Sequence, residues 1–305
     1  GWLNFINIFC INNNFEFEFD KLYDNNNKIM NHPHDNTFMS EERYKMIFNY
    51  IKQSYITPII TLFNSDSHFQ NCNFLHRPDD VFFHCDIPIL TKTRPIGESY
   101  NILLKIFEQE RHWGMVNKIH TLDTAYHSKD NKLIWRGSSN GFLFSEDRPS
   151  RLTLCKKFYN DVNKMIDIGF SDITLPEYNI YIKNRISIEE QLKSKFIISL
   201  EGGDVGTNLK WLLASNSTVI MPKPTMISWL MEDKLEPWVH YVPINDNFDN
   251  LIEIYEWCLN NIYKCETIAH NGKMYIQQFM DEENEILIQK EILKEYSKFV
   301  NISCM

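Results

Sequence analysis

Residues 196–215 read Phe-Ile-Ile-Ser-Leu-Glu-Gly-Gly-Asp-Val-Gly-Thr-Asn-Leu-Lys-Trp-Leu-Leu-Ala-Ser, and no other stretch of the chain restricts the fold as strongly. An apolar run of strand length, Phe196 to Leu200, meets a glycine-rich corner. A helix-period pattern, Leu209, Leu212 and Leu213, begins at once. The order is strand, tight turn, helix. Gly202, Gly203 and Gly206 are expected to take positive φ and to let a ligand approach the backbone, with Thr207 and Asn208 capping the helix. Amides at such a helix start, aided by the macrodipole, make a seat for a phosphate or pyrophosphate. The plainer alternative is an ordinary turn of a parallel α/β sheet.

The surrounding pattern supports α/β architecture. Strands are expected at Lys132 to Trp135, Ser217 to Met221 and Val239 to Pro243, with helices at Leu152 to Tyr159, Ile188 to Ser194, Met226 to Glu232 and from about Phe248. Strands separated by helices imply a parallel sheet covered on both faces. Earlier in the chain, the alternation in Phe15 to Phe19 predicts a short strand. Ser40-Glu-Glu opens a helix over Tyr44, Ile47, Phe48 and Ile51, and Pro58 is expected to end it or to follow shortly after its end. Val81 to Cys85 is a strand candidate, and Ile102, Leu103, Ile106 and Phe107 suggest a helix. The polar stretch from Arg111 to Asn131 is expected to contain the connection between domains. A last apolar stripe, Ile286, Ile288, Ile292, Leu293, Tyr296 and Phe299, predicts a long closing helix.

With 305 residues the chain accommodates two domains, and its 43% hydrophobic and 23% charged residues are those of a globular protein. A net charge of −9 without a dense Lys/Arg cluster argues against a nucleic acid as partner. Seven scattered cysteines form no C-x-x-C pair, so buried free thiols are expected, and with them a reducing, cytoplasmic setting. No apolar run approaches the roughly 20 residues that cross a bilayer. The chain begins with Gly, so an anchor ahead of it stays open.

Several other stretches carry chemistry. Lys132-Leu-Ile-Trp-Arg-Gly-Ser-Ser-Asn-Gly141 runs from a strand into a loop of small residues. There Arg136, Ser138 and, further on, Arg148 offer guanidinium forks and a hydroxyl to a diphosphate; the alternative for either arginine is a surface ion pair. Trp229, Trp238, His240 and Tyr241 are expected near the same sheet edge, where aromatics stack on a base or sugar, with at least two of them given to core packing. Asp86 falls just past the strand candidate Val81 to Cys85, at the end where ligands bind in open α/β sheets.

Taken together, Trp135-Arg-Gly-Ser138, Glu201-Gly-x-Asp-Val-x-Thr-x-Leu-Lys-Trp211, Met221-Pro-x-Pro with Trp229, and Trp238-Val-His-Tyr-Val-Pro243 resemble glycosyltransferase family 90. That family includes capsule-associated xylosyltransferases, lipopolysaccharide-modifying transferases and protein O-glucosyltransferases. The resemblance runs in order over roughly residues 75 to 280. It implies a GT-B-like fold, two Rossmann-like domains facing across a cleft. The expected boundaries are 1–125 for an acceptor-side domain, completed by the helix at 285–305, and 126–284 for the donor domain. It implies contacts to a UDP-sugar from Ser138, Arg148 and the segment Gly203, Asp204, Val205, Gly206, Thr207 and Asn208. In the O-glucosyltransferase branch a basic residue stands where this chain has Asn208, and the loop between Ser138 and Arg148 is longer here. The family's catalytic aspartate sits in an Asp-aromatic-Pro setting, matched by Asp86 in Cys85-Asp-Ile-Pro88, with Ile in place of the aromatic residue. Asp79 and Asp80 are its neighbouring competitors.

A sugar hydroxyl needs one positioned base, and departing UDP needs positive charge or aligned dipoles. Asp86 suits the first role. Arg136 or Arg148, with the 206–214 helix start, suits the second. The sequence contains no Asp-x-Asp, the usual carboxylate pair that holds a divalent ion on a nucleotide-sugar, so metal-independent chemistry with no tightly bound cofactor is expected. The expected reaction is inverting transfer from a UDP-sugar, UDP-xylose ahead of UDP-glucose, to a glycan hydroxyl. The alternatives are a nicotinamide-dependent oxidoreductase, whose G-x-G-x-x-G spacing Gly202-Gly-x-x-Gly206 only loosely imitates, and a non-catalytic sugar-binding protein.

Overall fold

The computed structural model describes residues 9–11, 53, 56–69, 72, 74–77, 88–105, 113–140, 150–160, 165–173 and 176–299. The strand expected at 15–19, the helix from Ser40 and the strand candidate Val81 to Cys85 lie outside the described residues. So do Asp79, Asp80, Asp86 and Arg148. The chain divides into two compact units, residues 1–109 with 282–305, and residues 110–281.

The first unit holds a four-stranded sheet in the order β1 (Phe9–Ile11), β2 (Phe74–Arg77), β3 (Ile89–Thr91), β4 (Asn101–Leu103). β1 is antiparallel to β2, and the other pairs are parallel. Asn101–Leu103 is therefore a strand, not the start of the expected helix. Such a short apolar run has no decisive period, and pairing of Ile102 with Leu90 settles it. Pro58 sits in the first turn of a helix, α1 (Thr57–Asn64). Proline suits a first turn because the amide it lacks has no partner there. Phe63 stacks on Phe74 at 4.5 Å between ring centroids, and Phe74 on Tyr296 at 5.8 Å, so the closing helix Glu282–Phe299 seals this core. Two polar contacts fix that helix: the buried Lys105–Glu285 pair at 2.9 Å, and the Lys105 amide donating to Gln289 Oε1. Burial lowers the Lys105 pKa, a shift that Glu285 opposes.

The second unit is built on five strands, all parallel: β5 (Asp130–Ser138), β6 (Ile166–Asp172), β7 (Ser194–Ile198), β8 (Thr218–Met221) and β9 (Val242–Pro243). Across the sheet they lie in the order β9-β8-β7-β5-β6. Alternate residues of each strand face opposite sides, and both sides are buried, as a parallel sheet flanked by helices requires. Leu133, Trp135, Phe196, Ile198 and Ile220 pack with Leu154 and Phe158 of α4 (Arg151–Phe158), and with Tyr255 and Cys258 of α7 (Leu251–Asn260). Intervening residues Ile134, Ile197 and Val219 are buried too. Each such side chain contributes about 1.5–3 kcal/mol when taken out of water.

Residues 113–128, within the stretch expected to contain the connection between domains, are themselves folded. They form α2 (Trp113–Val116), α3 (Ile119–Leu122) and a 3-10 turn, with Trp113, Val116, Ile119 and Tyr126 buried. The helix expected over 226–232 is absent: Met226–Ser228 is extended and Glu232–Lys234 forms one 3-10 turn. There the Glu201 carboxylate accepts from the amides of Thr225 and Met226, and Glu232 accepts from the Ser228 amide. Tertiary partners thus override a local helical pattern. The remaining helices are α5 (Ile188–Leu192), α6 (Leu209–Ala214) and α8 (Ile262–Gln277). Cys155, Cys258 and Cys265 are buried free thiols, and burial pushes Cys155 up to about 12. Among the described residues no helix is long and apolar enough to cross a membrane.

Candidate functional site

Strand order locates the site in the second unit. β6 follows β5 on one side of it, while β7, β8 and β9 extend on the other, so the direction of winding reverses between β5 and β7. At such a reversal the loops leaving two adjacent strands diverge above and below the sheet, and a crevice opens at their carboxyl ends. Ser138 ends β5, and Ser199 to Gly206 leave β7, so two of the stretches marked in the sequence meet at this point.

Arg151, which lies outside the sequence motifs, joins them. From the first turn of α4 its Nε donates to Glu201 O at 3.0 Å and its Nη2 to Leu200 O at 3.2 Å. Its Nη1 donates to Asn140 O at 3.0 Å and to Ser138 O at 3.2 Å, with Ser138 Oγ 3.5 Å away. One guanidinium thereby ties the loop after β5 to the loop after β7. Ser150 caps the same helix by accepting from the Thr153 amide. A signal for Arg151 was present in the sequence: a cation in the first turn opposes the helix dipole, so an arginine there is normally held by something else. Replacing Arg151 with Met is expected to cost about 1–3 kcal/mol, because backbone carbonyls lose their donors. Lys should not restore the loss, since an ammonium has no planar fork. Urea midpoints of the two variants test this.

The glycines act differently from expectation. None of Gly202, Gly203 and Gly206 has positive φ; among the described glycines only Gly97 does. At Gly202 and Gly206 the requirement is space. A Cβ on Gly202 would lie 2.7 Å from Arg151 Nη2, and one on Gly206 would lie 2.8 Å from Ser199 Oγ and 3.1 Å from Leu200 O. Asn208 does not cap α6 with its side chain. Instead it accepts from Ser199 Oγ at 2.9 Å and donates to Ile198 O at 3.1 Å, pinning the corner to the end of β7. α6 has six residues, so its macrodipole adds little. Asp204 and Val205 are buried, while Gly203 and Thr207 are partly open. A pocket opens beside the corner, lined by Ser199, Glu201, Gly206, Leu209, Lys223 and Glu232 among others.

Arg136 does not join this group. Its guanidinium pairs with Asp167 at 2.7 Å and donates to the carbonyls of Trp135 and Asp167, with its side chain 7% exposed. Lys132 and Lys183 share the same carboxylate at 3.0 Å. Burial would raise the Asp167 pKa, but hydrogen bonds from Arg136, Lys132 and Lys183 prevail and hold it well below the usual carboxylate range. Arg136 thus binds β5 to β6. Trp229 and Tyr241 are buried in the core. Trp238, His240 and Tyr241 come before β9, whose two residues pair with Ile220 and Met221 at the end of β8. Among the described residues no group of three or more His, Cys, Asp or Glu side chains is placed to hold a metal ion.

The family model for glycosyl transferase family 90 matches residues 110–304, and the chain belongs to that family. O-glucosyltransferase LpsA of Dichelobacter nodosus is 30% identical over 219 residues, covering 71% of this chain and 64% of that protein. Uncharacterized protein 035R of invertebrate iridescent virus 3 is 26% identical over 52% of this chain, and the match spans 16% of the viral protein. Protein O-glucosyltransferase 1 of Homo sapiens is 23% identical over 38% of this chain and 29% of its own length.

Proposed function

We propose that the protein transfers a sugar from a UDP-sugar to a hydroxyl of a glycan, with the unit 110–281 holding the donor in a GT-B-like enzyme. The observation that carries this reading is the crevice at the winding reversal, where Ser138 and the 201–208 corner converge on Arg151. Carboxyl-end crevices of this kind receive nucleotides in open α/β sheets. Arg151, held between the two loops, is the arginine that brings positive charge to the donor diphosphate. Arg136 is committed to Asp167 and is set aside from that role. The donor sugar is read as glucose in preference to xylose, because the relatives with an assigned activity are named O-glucosyltransferases.

Asp86 takes the proton of the acceptor hydroxyl while that oxygen attacks the anomeric carbon. The bond from that carbon to the diphosphate breaks, and UDP leaves with the electron pair. A single in-line displacement inverts the configuration, so an α-linked donor gives a β-linked product. The absence of Asp-x-Asp favours catalysis without a metal.

Two measurements test the reading. Hydrolysis of a panel of UDP-sugars by the purified protein should be fastest with UDP-glucose; a uniform lack of turnover and of UDP binding would remove the proposal. UDP affinity by calorimetry should be the same in EDTA as with added Mn²⁺. Affinity that vanishes in EDTA and returns with the ion would place the phosphates on a metal.

A further inference from the structure

The pocket beside the glycine corner contains a cation with no role so far. Lys223 stands in the loop after β8, exposed, and lines the same pocket as Gly206 and Leu209. Its neighbours in sequence are Pro222 and Pro224. Each proline fixes its own φ, and Pro224 also holds Lys223 in extended geometry. The loop is then tied down at its far end, where Thr225 Oγ1 donates to Glu201 Oε2 at 2.5 Å and the Thr225 amide to Oε1 at 2.8 Å. The backbone under Lys223 is thus rigid while its four-carbon stem is free to reach across the pocket.

The other charged walls of the pocket are already engaged. Glu201 accepts from Thr225 and from the Met226 amide, and Glu232 accepts from the amide and hydroxyl of Ser228 at 2.6 and 2.7 Å. Their lone pairs are directed into residues 225–228, which leaves Lys223 as the mobile charge on the rim. Gly206, in the same lining, lacks a side chain and is backed by Ser199 and Asn208, so the pocket offers an anion both backbone and an ammonium.

We propose that Lys223 binds the diphosphate of the donor and the departing UDP, as a flexible point charge complementing the fixed Arg151 clamp. This rests on the reading of the crevice as a UDP-sugar site. An ammonium on a long stem suits a group whose charge grows as the bond breaks, because it follows the phosphate without reshaping the loops.

Calorimetry with UDP and with uridine on the purified protein tests it, comparing wild type with Lys223→Gln and Lys223→Arg. Lys223→Gln should weaken UDP about tenfold or more, the range for losing a charge-assisted hydrogen bond, and leave uridine unchanged. Lys223→Arg should retain most of the UDP affinity. An unchanged thermal midpoint is expected for both variants because the side chain is exposed. If wild type binds UDP and Lys223→Gln binds it equally well, or loses UDP and uridine alike, Lys223 does not touch the phosphates, although the crevice still holds the donor. If wild type binds no UDP, the site reading fails and this role fails with it.

Discussion

Asp86→Asn is expected to slow sugar transfer by about a hundredfold or more, the range for loss of a general base. Asparagine keeps the size and much of the hydrogen bonding of the carboxylate but does not accept the proton at neutral pH. Donor affinity should hardly change, because the donor contacts are assigned to residues 110–281. The loss should therefore fall on kcat, with the Kd for UDP preserved. Product configuration adds an independent check: NMR of the product should show a β linkage from an α-linked donor. Near-normal turnover in the variant, or an α-linked product, would be incompatible with Asp86 as the base of a single displacement, and Asp79 and Asp80 would be tested next.

Gly206→Val carries the second large effect. Its Cβ would lie 2.8 Å from Ser199 Oγ and 3.1 Å from Leu200 O, closer than packed atoms approach, and Asn208 Oδ1 at 3.4 Å limits any retreat. Ser199 and Asn208 are bonded to each other, so relief at one strains the other. Overpacking of this sort costs about 1–3 kcal/mol, and a β-branched side chain has little rotamer freedom with which to escape. The pocket lining that Gly206 shares with Lys223 would also be displaced. UDP affinity should drop more than about tenfold, with a lower urea midpoint. Gly206→Ala should show the same two losses at smaller size. A Val variant with wild-type UDP affinity would move the nucleotide away from this corner.

The site was legible in the sequence where its chemistry is local. Trp135-Arg-Gly-Ser138 and the 201–211 stretch were marked because a strand run meets small residues there, and the structure brings Ser138 and the corner together. What the glycines do was not legible. Positive φ is the usual reason for glycines in a turn, yet none of the three has it, and at Gly202 and Gly206 a guanidinium and a serine hydroxyl are packed where Cβ atoms would stand. Which arginine serves the crevice was equally hidden. Arg136 lies in the marked motif but pairs with Asp167, on a strand the sequence reading did not assign. Arg151 lies outside the motif and holds the two loops together.

The chain's order of apolar runs, glycine corner and leucine-spaced helix was enough to require a parallel α/β unit, because these signals depend only on the periods of strand and helix. It also contained the family's motifs, and these do not depend on how the elements pack. Strand order, the point where winding reverses, and the partner of each charged side chain were decided only in three dimensions. The stretch entering Met226–Ser228 shows why: the amides of Thr225 and Met226 find the Glu201 carboxylate 24 and 25 residues away in sequence, and those long-range bonds outweigh a local preference for helix. Contacts between residues so far apart leave no periodic trace in the sequence, so the geometry of the crevice is a property of the folded chain.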